Sequence, residues 1–278
     1  MGLFKSLSVV GWACRNVFKR FFKGGLWAPF LLLTLIQIIA LGLLLTFHQP
    51  WSQWGMMPLL KWSGGEGAVH YPYFFSVMPV AFARITLILG ILLSSWLIGV
   101  ATLKFAESFG RKVTDRPWSH AFKFYPHLIL LTAVTSVVVF TAFLSQRLVP
   151  SDLFLTNSAA RWGVRFGTQF LAVVIQAFFI YGVAWIVLKE ENFMSAIKSS
   201  FSTAKSIFLP TVILVGITAM FQFPLSYVQG RGDLITNKFQ PEMMIGIMGV
   251  EIFAELILGF VLAGAVTFLF LWKQEGAQ

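Results

Sequence analysis

The chain has 278 residues, of which 57% are hydrophobic and only 12% charged, and its mean hydropathy is +0.78. A soluble domain carries roughly a quarter charged residues, so half the usual charge is missing and a water-soluble globule is excluded. The net charge of +10 calls for no nucleic-acid partner, because the cations follow the alternation expected of a membrane protein.

The first element predicted is an amphipathic helix. Leu3, Phe4, Leu7, Val10, Cys14, Val17, Phe18, Phe21 and Phe22 recur at helical spacing, and Lys5, Arg15, Lys19, Arg20 and Lys23 occupy the remainder. Such a pattern suits a helix lying in the membrane interface with its rings among acyl chains and its cations among anionic headgroups. Those five cations are the candidate lipid contacts. Cys14, the single cysteine, excludes an intrachain disulfide and reads as a small buried thiol.

An apolar run over 26–47 follows, close to the roughly 20 residues that cross about 30 Å of hydrocarbon. It ends in His48-Gln49-Pro50-Trp51 rather than in a small-residue cleavage site, so the first span is expected to stay in the protein. Next comes an outer segment rich in Trp51, Trp54, Met56, Met57 and Trp62, a Gly-rich turn over 63–67, and Tyr71, Tyr73, Phe74 and Phe75. These aromatic residues read as an interfacial belt. Five further apolar runs cover 85–100, 128–144, 166–188, 209–225 and 252–272. Weaker amphipathic stretches precede the third and fifth spans. One contains Pro117, Trp118, Ala121, Phe122 and Tyr125; the other contains Phe193, Ile197, Phe201, Ala204 and Phe208, with Lys198 and Lys205 beside it.

The six runs repeat as pairs. Pro29, Pro126 and Pro210 open the odd spans, where a missing N–H costs least. Lys104, Lys189 and Lys273 close the even ones, at separations of 85 and 84 residues. Pro72, Pro150 and Pro241 mark the outer turns. The expected fold is therefore all-α: a polytopic helical bundle of six transmembrane helices, built as three repeated hairpins, each entered by an amphipathic helix on the cytoplasmic side. It forms one domain over 1–278, with repeat units of about 1–104, 105–189 and 190–273.

Charge fixes the expected orientation. With the N-terminus inside, the outer segments hold only Lys61, Arg84, Arg147, Arg161, Arg165, Arg231 and Lys238 of the 21 basic residues. The positive-inside rule then places both termini in the cytoplasm.

Charges within spans are functional candidates. Arg84 lies 20 residues, or about 30 Å, from Lys104, Arg165 lies 24 residues from Lys189, and Glu255 lies 18 from Lys273. All three are expected at the outer boundary. Glu251 and Glu255 share a helix face, and Glu255 is expected to pair with Arg84 or Arg165, since an unpaired charge there is costly. At mid-depth, Gln176 and Gln222 stand where an interhelical hydrogen bond could join them, with capping of their own backbones as the alternative.

Catalytic chemistry is not legible. No phosphate-binding glycine loop, zinc-binding His-Glu-x-x-His or nucleophile elbow occurs. The histidines divide as His48 and His70 outside, His120 and His127 inside, and Ser94 and Ser95 have no His or Lys base at their depth. Neither a cofactor, a metal site nor a catalytic residue is expected.

Six spans in three hairpins, together with segments such as Phe193-Met194-Ser195-Ala196-Ile197-Lys198-Ser199-Ser200-Phe201, resemble the bacterial membrane-domain family found beside glycerophosphodiester phosphodiesterases. The resemblance implies a six-helix protein of the bacterial inner membrane. The soluble phosphodiesterase barrel is missing, so that activity is not implied. The expectation is a non-catalytic membrane component that organises lipid or a partner complex, with a membrane protein or a second copy as partner. The alternative is a small transporter or lipid-handling permease.

Overall fold

A computed structural model describes residues 2–144 and 158–275, and every regular element among them is helical. The chain begins with α1 (Leu3–Phe18) and α2 (Gly24–Leu45). Then come α3 (Pro50–Gly64) and α4 (Tyr73–Leu89), which a π-helical turn (Gly90–Ser94) joins to α5 (Ser95–Ser108). Next are α6 (Pro117–Lys123), α7 (Tyr125–Leu144), α8 (Ser158–Phe179) and α9 (Gly182–Lys189). The remainder is α10 (Phe193–Ser206), α11 (Phe208–Gln229), α12 (Gly232–Lys238) and α13 (Met243–Glu275). The second outer turn, with Arg147, Pro150 and Asp152, lies outside the described residues.

Among the described residues, six helices are long and apolar enough to cross a membrane: Gly24–Leu45, Tyr73–Ser108, Tyr125–Leu144, Trp162–Lys189, Phe208–Gln229 and Met243–Glu275. The chain is thus an all-α, polytopic integral membrane protein. Two spans exceed what their apolar runs suggest. Tyr73–Ser108 has 36 residues and Met243–Glu275 has 33, or about 54 and 50 Å at about 1.5 Å per residue. The added stretches 73–83 and 243–250 are mostly apolar, and each predicted run begins just after a charge, Arg84 or Glu251.

The chain divides into two compact units. Unit 1 comprises Met1–Leu26, Ser95–Ala219 and Val261–Gln278; unit 2 comprises Trp27–Ser94 and Met220–Phe260. Their borders differ from those of the three repeats.

In unit 1, α1 buries Ser6, Val10, Ala13 and Val17, one face at helical spacing. Gly264 makes the approach possible: a Cβ there would stand 2.8 Å from Val17 Cγ2 and 2.9 Å from Phe105 Cε1. Trp12 closes the edge, its ring 4.5 Å from that of Phe268. Gly182 plays the same part at α9, where a Cβ would lie 2.7 Å from Leu131 Cδ2. Gly90, Gly246 and Gly249, by contrast, have open space beside them.

The break between α8 and α9 is satisfied by hydroxyls. Ser200 Oγ donates to the carbonyl of Phe178 at 2.6 Å. The fully buried Tyr181 meets Thr211 Oγ1 at 2.8 Å while Thr211 itself donates to Ile207 O, so the tyrosine is the donor. Trp185 Nε1 donates to Thr203 Oγ1 at 3.0 Å. In hydrocarbon such freed backbone groups must find a partner within the protein. Glu190, at φ +55°, turns the chain out of α9, and Asn192 caps α10 by accepting from Ser195 N at 3.0 Å.

Pro29 stands inside α2, a correction to its expected place in the first turn, where Pro126 and Pro210 do lie. Having no N–H, it leaves the carbonyl of Gly25 without its helical partner. Lys104 Nζ donates to that oxygen at 2.8 Å.

Unit 2 packs Leu44, Leu60, Ala68, Met78, Ala81, Met244 and Met248 into a fully buried cluster. The outer segment read as an aromatic belt is in fact helical, forming α3, with Gly65 at φ +74° supplying the turn after it. Arg231-Gly232-Asp233 is a helix start: a Cβ on Gly232 would meet Ser76 O at 3.0 Å, and Ser76 Oγ reaches Thr236 Oγ1 at 2.7 Å. Rings close the lower part, Trp27 stacking on Phe260 at 4.0 Å.

Candidate functional site

Two groups of side chains stand out, one in each unit. The first is the cationic side of α1 and the turn after it. Lys5, Arg15, Lys19 and Lys23 are exposed, and none of them bonds to a protein group. Between them, Phe4 is 87% and Phe22 95% exposed, and Leu3, Leu7 and Phe18 are about half exposed. The helix therefore carries two apolar faces. One seats on protein through Val10, Ala13 and Val17; the other, which alternates with cations, is left exposed by the described residues. The expected stripe is divided between them.

Arg20 is the exception among the five candidate lipid contacts. Its Nε donates to Ser108 O at 3.0 Å, its Nη1 to Asn16 O at 2.9 Å, and its guanidinium lies 4.4 Å from the centre of the Phe109 ring. It ties the end of α1 to the end of α5, because a guanidinium can reach several carbonyls and a ring at once. Burial pushes the Cys14 thiol up from its usual value, as expected of a packed, inert cysteine.

The α10 helix continues the theme in the same unit. It buries Ala196, Ser200, Thr203 and Ala204, leaving Lys198 and Lys205 exposed beside an open groove of about 500 Å³ lined also by Ile197, Phe201 and Ser202.

The second group lies in unit 2, on the membrane-spanning parts of α2, α11 and α13. Gln37 Nε2 donates to Glu255 Oε2 at 2.7 Å, and Gln229 Nε2 donates to Glu251 Oε2 at 2.6 Å. Gln37 is 5% exposed, and its Oε1 is buried without a hydrogen-bond partner. The expected Glu255–Arg84 ion pair is not formed. Arg84 Nη1 donates to Ser63 Oγ at 3.2 Å and its guanidinium covers the Trp62 indole at 3.7 Å. The helical α3 puts that ring and hydroxyl within reach of α4, and they take the cation. Arg165, in unit 1, lies 6.0 Å from the centre of the Trp162 ring.

Depth also needs correction. Gln37 is 8 residues from the Leu45 end of α2 and 13 from Gly24, or about 12 and 20 Å along the helix. Its bond draws Glu255 well within the span rather than to the boundary. Gln37 carries the same signal that singled out Gln176 and Gln222, an amide inside an apolar run, and sequence reasoning missed it. Gln176, in unit 1, and Gln222, in unit 2, are each exposed on their own helix.

No family model, curated protein or solved structure matches this chain.

Proposed function

We propose that the chain is a non-catalytic component of a bacterial inner membrane, with both termini cytoplasmic, that organises anionic lipid or a partner membrane protein through its interfacial helices. The observation that carries this reading is the exposed side of α1 and of the turn after it, where the Phe4 and Phe22 rings stand among the unpaired cations Lys5, Lys19 and Lys23. Rings of this kind enter the acyl boundary, and each lysine near an anionic surface contributes about 1 kcal/mol. The groove between Lys198 and Lys205 supports the same reading. The exposed amides of Gln176 and Gln222 are polar groups that a partner helix or a second copy would satisfy. The element order, a short helix before each of α2, α7 and α11, supports the triplicated hairpin and the resemblance to the six-helix family.

The test is thermal unfolding of delipidated protein on adding phosphatidylglycerol or phosphatidylcholine. The anionic lipid should raise Tm more, and the excess should vanish in a Lys5→Gln/Arg15→Gln/Lys19→Gln/Lys23→Gln variant. Equal responses to the two lipids would refute the reading. A second reading, a small transporter or lipid-handling permease, is favoured by the carboxylate–amide pair inside the span, and uptake by proteoliposomes would distinguish it.

A further inference from the structure

Among the described residues, the one buried side-chain polar atom without a hydrogen-bond partner is an acceptor, and it belongs to the polar group of unit 2. Gln37 spends a donor on Glu255 Oε2 and keeps a buried, unpartnered Oε1. Gln229 likewise spends a donor, on Glu251 Oε2. Among the described residues, no basic group comes within 4.0 Å of either carboxylate. The other charged groups of unit 2 are committed or exposed. Lys61 pairs with Glu66 at 2.7 Å, Arg84 is held by Ser63 and Trp62, and Arg231, Asp233, Lys238 and Glu242 are exposed. Two carboxylates one helical turn apart repel each other, and inside a span they need compensating charge. What is missing is a species that brings positive charge or a donated hydrogen.

We propose that Glu255, Gln37 and Glu251 form a binding site for a small monovalent cation within the span. Carboxylate and amide oxygens are hard ligands that suit such an ion. Calcium takes six to eight oxygens and magnesium gives up its water reluctantly, whereas a singly charged ion sheds part of its water readily and completes its shell here with the rest. Gln37 Oε1 and the second oxygen of Glu255 hold the ion. Glu251, one turn closer to the Met243 end and bonded to the last residue of α11, forms the step by which it enters. An alkali ion and a hydrogen ion share this chemistry. The site does not depend on the lipid reading, which stands on unit 1, so either can fail alone.

Thermal unfolding of the purified full-length protein in detergent tests it. Tm is followed while sodium or potassium chloride replaces choline chloride at fixed ionic strength and pH, then across pH in choline chloride alone. A saturable rise on the order of 5 °C with an alkali ion supports the site, provided Glu255→Gln abolishes it. A response to pH alone, abolished by the same variant, supports the site with the hydrogen ion as occupant. An unchanged Tm in every salt and at every pH, or a response undiminished in Glu255→Gln, overturns it. A second measurement needs no variant: carbodiimide labelling of Glu255, read by peptide mass spectrometry, should be slowed several-fold by a bound alkali ion, or quickened as pH falls where the hydrogen ion is the occupant, because the reagent attacks the protonated carboxyl. Labelling at one rate in all conditions also overturns the proposal.

Discussion

The two units treat buried polarity in opposite ways. In unit 1 the buried hydroxyls of Ser200, Thr203, Tyr181 and Thr211 all end on a carbonyl or another hydroxyl. In unit 2, Gln37 Oε1 is the one buried side-chain polar atom, among the described residues, that lacks a partner, and it lies beside a carboxylate. A satisfied polar seam fixes geometry, whereas an excess of acceptors asks for an occupant. The first kind of polarity is structural and the second is chemically open. That contrast separates the part of the molecule that holds helices in place from the part able to bind something.

The contrast can be broken by mutation. The largest effect should come from Gly264→Leu in unit 1, because even a Cβ would stand 2.8 Å from Val17 Cγ2. Overpacking costs about 1–3 kcal/mol, and a leucine here should leave little folded protein by size-exclusion chromatography. Gln37→Leu removes the donor from Glu255 and should cost about 1.5–3 kcal/mol in thermal unfolding. The double variant Gln37→Leu/Glu255→Leu should recover most of that loss; if it does not, the pair is not the source of the cost. Ser200→Ala strands the Phe178 carbonyl and should cost about 1 kcal/mol, with Ser202→Ala as the exposed control. The smallest effect concerns Cys14, whose thiol burial pushes up. Alkylation by a maleimide at neutral pH should be at least tenfold slower than at a cysteine placed at the exposed Lys19.

The spans were legible because hydrocarbon demands long apolar helices, and the pattern of 26–47 or 209–225 has no other reading. Helix extensions were not, since Arg84 and Glu251 interrupt the apolar pattern inside a continuous helix and α3 is too polar and aromatic to resemble a span. Pairing was least legible. A charge in a span signals that it needs a partner, and Glu255 has one; but depth along a helix says nothing of rotation about its axis. Gln176 and Gln222 are each exposed on their own helix, while Gln37 faces Glu255. Arg20 was grouped with the lipid-facing cations because periodicity cannot see that the end of α5 offers it a carbonyl and a ring. The close contacts at Gly264 and Gly182 depend on which neighbour crosses there, information that a single helix does not carry.

The most direct measurement is topology in living bacteria, with a reporter that fluoresces only in the cytoplasm fused in turn to each terminus. Six crossings with the basic surface inside predict fluorescence from both fusions, and none from an insertion in the turn around Gly65. Signal from only one terminus would mean an odd number of crossings and would contradict the arrangement on which both proposed sites depend.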